Sequence, residues 1–580
     1  MRKTSWRRFI SLGLILSSIF ATQAFAVEKD AVIKGSMVNV RAEANKNSKK
    51  VTNLYSNTAV KVGDPVQNSS GESWYPVSFQ GGNGYIRSDF VKFPVQYQRD
   101  EAFENALNQQ GFPEAYKDGL RALHAEFPNW QFKALHTNLD WQRVLDGEME
   151  GTGSLVDKNA ISSWKSTDNG KYDWNTGTWP GFDGPSWVGA SRALTAYYMD
   201  PRNFFDESYV FQFLVHNYNP EEQNAEGLNA ILKGSFMAGT GGDSSASTNA
   251  QSAGNDAIVS STVSSTEESG EIVSALGPGE KVSVSDNGQG STTRSANGID
   301  YSGILLRAAE ATKQNPYVLA AMILQEQGKG TSGSISGASG LYNYFNVGPY
   351  AANGMGAVER GIWYAGQSGS YGRPWNSPEK SIQGGAQFFA ENYLNAGQNT
   401  FYLKKWNVQG SNLYKHQYMT NVQGAAEEGA KLSKAYTEEM KKKTLSFSIP
   451  IYENMPEKRA VIPTGTGSPN NRLSSLTVSG YTLSTAFNGG NQNYSLTIPK
   501  GTKSITIAAT AVDGKAKVSG AGVQSIEGKE NVVISVKAEN GDERNYNIKL
   551  NFSDTASQTA TQSGGESGVG IVEVGKGPLS

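Results

Sequence analysis

The 580-residue chain has no cysteine, which excludes cysteine nucleophiles, thiolate zinc sites and disulfide scaffolds. Histidine is nearly as scarce. Only His124, His136, His216 and His416 occur, and no two stand at helical ligand spacing. Neither a metal centre nor a histidine-based triad is expected, and no cofactor is implied. An excess of one charge is missing as well: 52 basic residues meet 54 acidic ones, which argues against an overall nucleic-acid binder. Chemistry is left to carboxylates, tyrosines and amides. The only long apolar run, Phe9 to Phe20, follows Arg2, Lys3, Arg7 and Arg8 and precedes Ala24-Phe25-Ala26. That is the layout of a secretory signal peptide over residues 1–26, and the run is short for a membrane span of ~20 residues. The expectation is an exported protein with no membrane partner after cleavage.

Residues 30–94 read as a small β module. Val38-Asn39-Val40-Arg41 alternates, and glycine turns separate the short strands up to Tyr85-Ile86. The wording "VNVRAEANKNSKKV … WYPVSF … GYIRSDFV" resembles a bacterial SH3-like domain, a module family that often binds cell-wall peptide or glycan. Residues 98–238 carry helical signals in Arg99–Gln110 and Glu114–Phe127. They also hold six of the eleven tryptophans, between Trp130 and Trp187. Exposed tryptophan suits the apolar face of a sugar, so the density of the cluster suggests a glycan surface. For any single tryptophan, packing in a loop-rich core is the better reading.

Met237 to Asp300 contains no aromatic residue, and residues 239–300 are read as a linker or insertion, with 553–580 as a disordered tail. Residues 470–552 alternate in short strands, and Asn540-Gly541 signals a hairpin, which fits an antiparallel β-sandwich. It resembles the cadherin-like modules of bacterial surface proteins.

The sharpest chemical signal lies in residues 301–450. Ser302–Lys313 reads as one helix, and a second starts at Asn315 with Pro316 in its first turn. On the second helix Leu319, Met322 and Ile323 form the apolar stripe. Glu326 faces the same way, near the end marked by Gly328. Burial would raise the pKa of such a carboxyl towards the range of a general acid. Periodicity alone leaves open a glutamate reaching water or pairing with Lys329.

The segments "NPYVLAAMILQEQG", "YNYFNVGPY", "GQNTFYLKKWNV" and "HQYMTN" together resemble the peptidoglycan-cleaving endo-β-N-acetylglucosaminidases of glycoside hydrolase family 73, the glucosaminidase domains of bacterial autolysins. "DPRNFF" at Asp200–Phe205 resembles the N-terminal extension of some members. The resemblance implies a lysozyme-like, mainly α catalytic domain between the SH3-like barrel and the sandwich. It places the catalytic glutamate on Glu326 and the loop that lines the sugar site on Tyr342, Asn343, Tyr344 and Phe345. The later-loop tyrosine falls on Tyr418. One departure stands out, because many relatives have Phe-Gly-Ile where this chain has Phe345-Asn346-Val347. Asn346 adds a hydrogen-bonding group to the site.

The resemblance implies cleavage of the β-1,4 bond after N-acetylglucosamine, for cell separation or wall turnover. A second carboxylate about 6.5–9.5 Å from the acid would give inversion, and one at about 5–5.5 Å retention. By position the candidates are Glu359 and, less well placed, Glu379 and Glu391. Another route uses the substrate's own 2-acetamido oxygen, oriented by Tyr418. A muramidase or lytic transglycosylase on the same scaffold, or a non-catalytic wall-binding or adhesion protein, are the competing readings. The expected partner is the glycan strand, and the expected location is extracellular or wall-associated.

Overall fold

The computed structural model describes residues 28–35, 37–55, 58–239, 298–348 and 354–554. The expected signal peptide, nearly all of the expected linker and the tail beyond Asp554 lie outside the described residues. Among the described residues, no helix is long and apolar enough to cross a membrane. The chain divides into two compact units, one of residues up to 99 with 121–126, the other of 100–120 with everything from 127 onward.

In the first unit, eight short strands between Lys29 and Lys92 form one sheet, every pairing antiparallel. The expected alternation is present: Val38 and Val40 point inward while Met37 and Asn39 face out. With Val60, Val62, Val77 and Ile86 they form the unit's own core. At Gly84 a Cβ would lie 2.6 Å from the Arg41 carbonyl oxygen, so only glycine lets the second and seventh strands meet there.

The second unit begins with helix α1 (Glu101–Gln109), capped by the Asp100 carboxylate, and the first half of α2 (Glu114–Glu126). Tyr116, Leu120 and Leu123, the predicted apolar face of α2, are all buried. Strand Gln131–Asp140 then pairs in parallel with Ser446–Glu453, joining the beginning of this region to its end. Helices α3 (Trp141–Met149), α4 (Arg192–Met199) and α5 (Ala225–Leu232) follow. Beyond the undescribed stretch come α6 (Tyr301–Thr312), α7 (Pro316–Gln327), α8 (Ala357–Gly366), α9 (Pro378–Phe389), the short α10 (Phe401–Lys405), α11 (Gly424–Ala435) and the short α12 (Glu438–Lys441).

The tryptophan-rich segment packs onto these later helices. The Tyr317 hydroxyl lies 2.8 Å from the Asn224 backbone N–H, and the Tyr402 hydroxyl donates to the Met199 carbonyl at 2.6 Å. The expected exposed tryptophan surface is only partly present. Trp130 and Trp141 are core residues, and Trp164, Trp174, Trp179 and Trp187 are half-buried. Two of the half-buried indoles are tied down by hydrogen bonds: Trp164 donates to Pro463 O and Trp179 to Ser166 O. Packing in a loop-rich core wins because large rings bury the most apolar area.

After Glu453 the chain runs along the same unit rather than away from it. Arg202 donates to the carbonyls of Pro456 and Glu457, Asn203 to Ala460, and Ser162 to Gly467. Residues 473–553 then form a three-stranded and a four-stranded sheet whose inner side chains share one core, including Leu476, Leu496, Ile507, Ile534, Tyr546 and Ile548. The pairing departs from the wholly antiparallel expectation. Asn493–Pro499 runs parallel to Glu543–Ser553, because the final strand lies between Asn493–Pro499 and Asn531–Lys537.

Candidate active site

Helix α7 starts as its sequence dictates. The Asn315 side chain accepts from the backbone N–H groups of Tyr317 and Val318, and Pro316 occupies the first helical position. Gly328 ends the helix at φ +54°. The helix is buried on more sides than a single apolar stripe suggests, since Tyr317, Val318, Ala320 and Gln327 are buried along with Leu319, Met322 and Ile323. Glu326 is the half-buried carboxylate at its end.

Burial pushes the Glu326 carboxyl up to about 7. A hydrogen bond from the Asn346 side-chain amide to Oε2, at 3.0 Å, holds it down in part. The charge of Glu428 acts in the upward direction and that of Lys431 in the downward one. Lys329 takes no part.

Asn346 is held in turn by Gln327, whose amide donates to its Oδ1 at 3.3 Å and to the carbonyls of Asn343 and Tyr344. Its backbone sits at φ +48°, in the left-handed region that glycine enters freely and asparagine tolerates. That conformation accounts for the departure at this position: Asn346 keeps a glycine-type backbone and adds a donor aimed at Glu326.

Only part of the expected sugar-lining loop is accessible. Asn343 is fully buried, donating to the carbonyls of Val347 and Gly361 and accepting from Val347 N–H. Tyr344 is buried with its hydroxyl 2.8 Å from that of Tyr301. Phe345 packs on Phe389, over Gly385, where a Cβ would lie 2.2 Å from its ring. These three side chains build the loop from within and offer no surface to a solute, which corrects the expectation that they line a sugar site. Tyr342 and Asn346 remain half-exposed, and Tyr342 stacks on Tyr344 at 6.2 Å.

Tyr418 lies close enough to Glu326 and Glu428 for both carboxyls to push its hydroxyl well above the ordinary tyrosine value, burial being the main cause. Its ring packs edge-on against Phe389 and Tyr393, and its backbone N–H donates to the Lys404 carbonyl at 2.8 Å. The Lys404 ammonium is wholly buried beside the rings of Phe389, Tyr393 and Phe401, which pushes it down to about 7. The charge of Glu428 opposes that shift.

The structure does not bring Glu359 into this group. It is exposed in the first turn of α8 and is not among the residues acting on Glu326. Glu379 pairs with Arg307 at 2.8 Å and Glu391 accepts from Gln387, both at the surface. The carboxylate that does stand near Glu326 is Glu428 on α11. It is 6% exposed, accepts from Gln325 and is raised by burial. Sequence reasoning missed it, although the signal matched that of Glu326: Glu428 lies on one helical face with Ala425 and Leu432, both buried.

Residues 36–92 match the family model described as bacterial SH3 domain. The bifunctional autolysin of Staphylococcus aureus strain N315 is 35% identical to this chain over 156 residues, 25% of this chain. The chain spans about 12% of the length of the curated relatives it matches. Among solved structures, a major bifunctional autolysin aligns over 56% of this chain and 98% of its own, at 19% identity and a TM-score of 0.32. S. aureus glucosaminidase B aligns over 56% of this chain and 94% of its own, at 18% and 0.31.

Proposed function

We propose that this chain is a peptidoglycan hydrolase that cleaves the β-1,4 bond after N-acetylglucosamine, with Glu326 as general acid. The observation that carries the reading is the half-buried Glu326 carboxyl, poised near neutrality at the end of α7 and held by Asn346. The resemblance to autolysins supplies the substrate class. A carboxyl with a value of about 7 is largely protonated at mildly acidic pH and still partly so at neutrality. It hands its proton to the leaving glycosidic oxygen, help worth ~10²–10⁴-fold. Asn346 then donates to the carboxylate left behind.

Negative charge at Glu428 keeps the proton on Glu326 until the bond breaks. On the other face of the sugar, the substrate's 2-acetamido oxygen closes on the developing cation, with Tyr418 orienting it. Water that gives its proton to the now ionised Glu326 then opens the cyclic intermediate to a reducing end. This route needs one protein carboxyl, acting first as acid and then as base, and no second carboxylate. The catalytic region is lysozyme-like in this reading, and the C-terminal β-unit a cadherin-like sandwich. The SH3-like barrel tethers the enzyme to the wall and raises the local concentration of strands. The protein acts outside the membrane, in cell separation or wall turnover.

The test is Glu326→Gln on purified cell walls, with mass spectrometry of the released fragments. The variant should lose ~10²–10⁴-fold in rate. Parent fragments should end in reducing N-acetylglucosamine. Reducing or 1,6-anhydro muramic ends would select the muramidase or transglycosylase reading instead. Wall binding with no release of ends by the parent would leave a binding protein.

A further inference from the structure

A cavity of about 550 Å³ lies between the tryptophan-rich segment, α4 and the C-terminal β-unit, and none of its lining residues belongs to the group around Glu326. That volume is within the range of ligand sites, which favour junctions between folded parts. Its walls carry charge of both signs, and some of that charge is already used. Arg202 and Asp200 form a buried pair at 2.8 Å, and Arg192 pairs with Asp146. What is left divides into two groups.

Lys458 is exposed and has no side-chain partner among the described residues. Lys165, also in the wall, bonds only the Lys158 carbonyl, at 3.0 Å, with its ammonium 4.1 Å from the Trp179 ring centroid. Of the wall's remaining carboxylates Glu543 is exposed and accepts from Ser535, which leaves, opposite in sign, Asp168 of the tryptophan-rich segment and Asp542 of the Asn540-Gly541 hairpin. Neither carboxylate belongs to an ion pair among the described residues. Asp168 accepts from Ser166, Asp542 from Asn540, and Lys171 and Arg544 sense Asp168 only at longer range. Burial, with the charge of Asp168 added, pushes Asp542 up to about 6, so a cation placed there would relieve a real cost.

We propose that this cavity binds a short zwitterionic peptide, with an ammonium at Asp168 and Asp542 and a carboxylate at Lys458 and Lys165. The source rests on the wall-hydrolase reading: peptidoglycan strands carry stem peptides with free carboxylates and amines. A second hold on the stem, remote from the cut bond, lets binding energy from a non-reacting part of the substrate position the strand. It would also favour strands that bear peptides over bare glycan.

The experiment titrates an N-acetylated, sugar-free stem tetrapeptide, with its side-chain amine and carboxyl end free, into the full chain carrying Glu326→Gln, followed by calorimetry. Saturable binding is expected, weakened ~10-fold or more by Lys458→Glu, the equivalent of one charge-assisted contact. Ala193→Trp, at an exposed position of the cavity wall, should abolish it by filling the space. If Ala193→Trp fails to fold, Lys458→Glu decides alone. No binding by the parent site, or binding unchanged by the tested variant, overturns the proposal. Because the background lacks the proposed acid, a failure of the catalytic reading shows in wall digestion and leaves this measurement intact.

Discussion

At the scale of single residues, the site turns on two atoms, Asn346 Nδ2 and Glu326 Oε2. A hydrogen bond donated to a carboxylate favours its charged form, so Asn346 holds the Glu326 value below what burial alone would give. In the proposed mechanism activity falls as pH rises through about 7, because the acid loses its proton there. Asn346→Gly keeps the left-handed backbone and removes the donor, so the falling limb should move to higher pH. Glu428→Gln removes a like charge and should move it lower. Rate profiles on soluble glycan fragments check both, and two shifts of the same sign would sink the account.

The same carboxyl has a signature in stability. Its folded value lies above the ordinary 4.5, so the folded state holds the proton more tightly than the unfolded chain. Its contribution is therefore fully present below about 4.5 and lost as pH rises through about 7. Glu326→Gln lacks this slope. The melting temperature of the variant minus that of the parent should grow between those two pH values and then level off. A flat difference would place the carboxyl in ordinary solvent.

Among elements, the loop from Asn412 to Asn421 shows how a polar core positions a side chain beside Glu326. Glu148 on α3 and Lys405 at the end of α10 are both buried, and Gln417 lies between them, donating to Glu148 and accepting from Lys405. Lys405 also donates to the Gly153 carbonyl at 2.7 Å. Burial pushes Glu148 up to about 8 and Lys405 down to about 7, while their mutual attraction opposes both shifts. Glu148 Oε1 has no hydrogen-bond partner among the described residues.

Gln417 precedes Tyr418, so this network fixes the loop segment that presents the tyrosine. Lys405→Met alone should destabilise by about 1–3 kcal/mol, since it leaves the buried Glu148 carboxyl and the Gly153 carbonyl short of a polar partner. Glu148→Leu with Lys405→Met should cost far less than the two singles summed. Denaturant unfolding measures the coupling, and simple additivity would refute it.

Across the whole molecule, the C-terminal β-unit is bound into the helical region rather than tethered to it. The connector from Met455 to Gly467 is hydrogen-bonded along its length, and Trp174 lies against the guanidinium groups of Arg472 and Arg544 at 4.1 and 5.1 Å. Contacts of that kind couple the stabilities of the two parts. Calorimetry on residues 98–554 should therefore give one transition, and Trp174→Ala should lower its midpoint or split it. Two independent transitions in the parent would mean the contacts contribute nothing to stability.

Much of this was legible in the chain because it depends on local pattern. The alternation of Val38 and Val40, the Asn315-Pro316 helix start and the stop at Gly328 follow from side-chain period and backbone preference, which need no neighbours. So does the placing of Glu326 among apolar side chains. Tertiary structure decided everything that depends on which surfaces meet. It turned Trp130 and Trp141 inward, made Asn343, Tyr344 and Phe345 into loop core, and drew Glu428 from a distant helix to Glu326 while leaving Glu359 outside. It also set the final strand parallel to Asn493–Pro499. A one-dimensional pattern records whether a side chain favours burial; only the packed chain determines what it is buried against, and so which carboxyl keeps its proton.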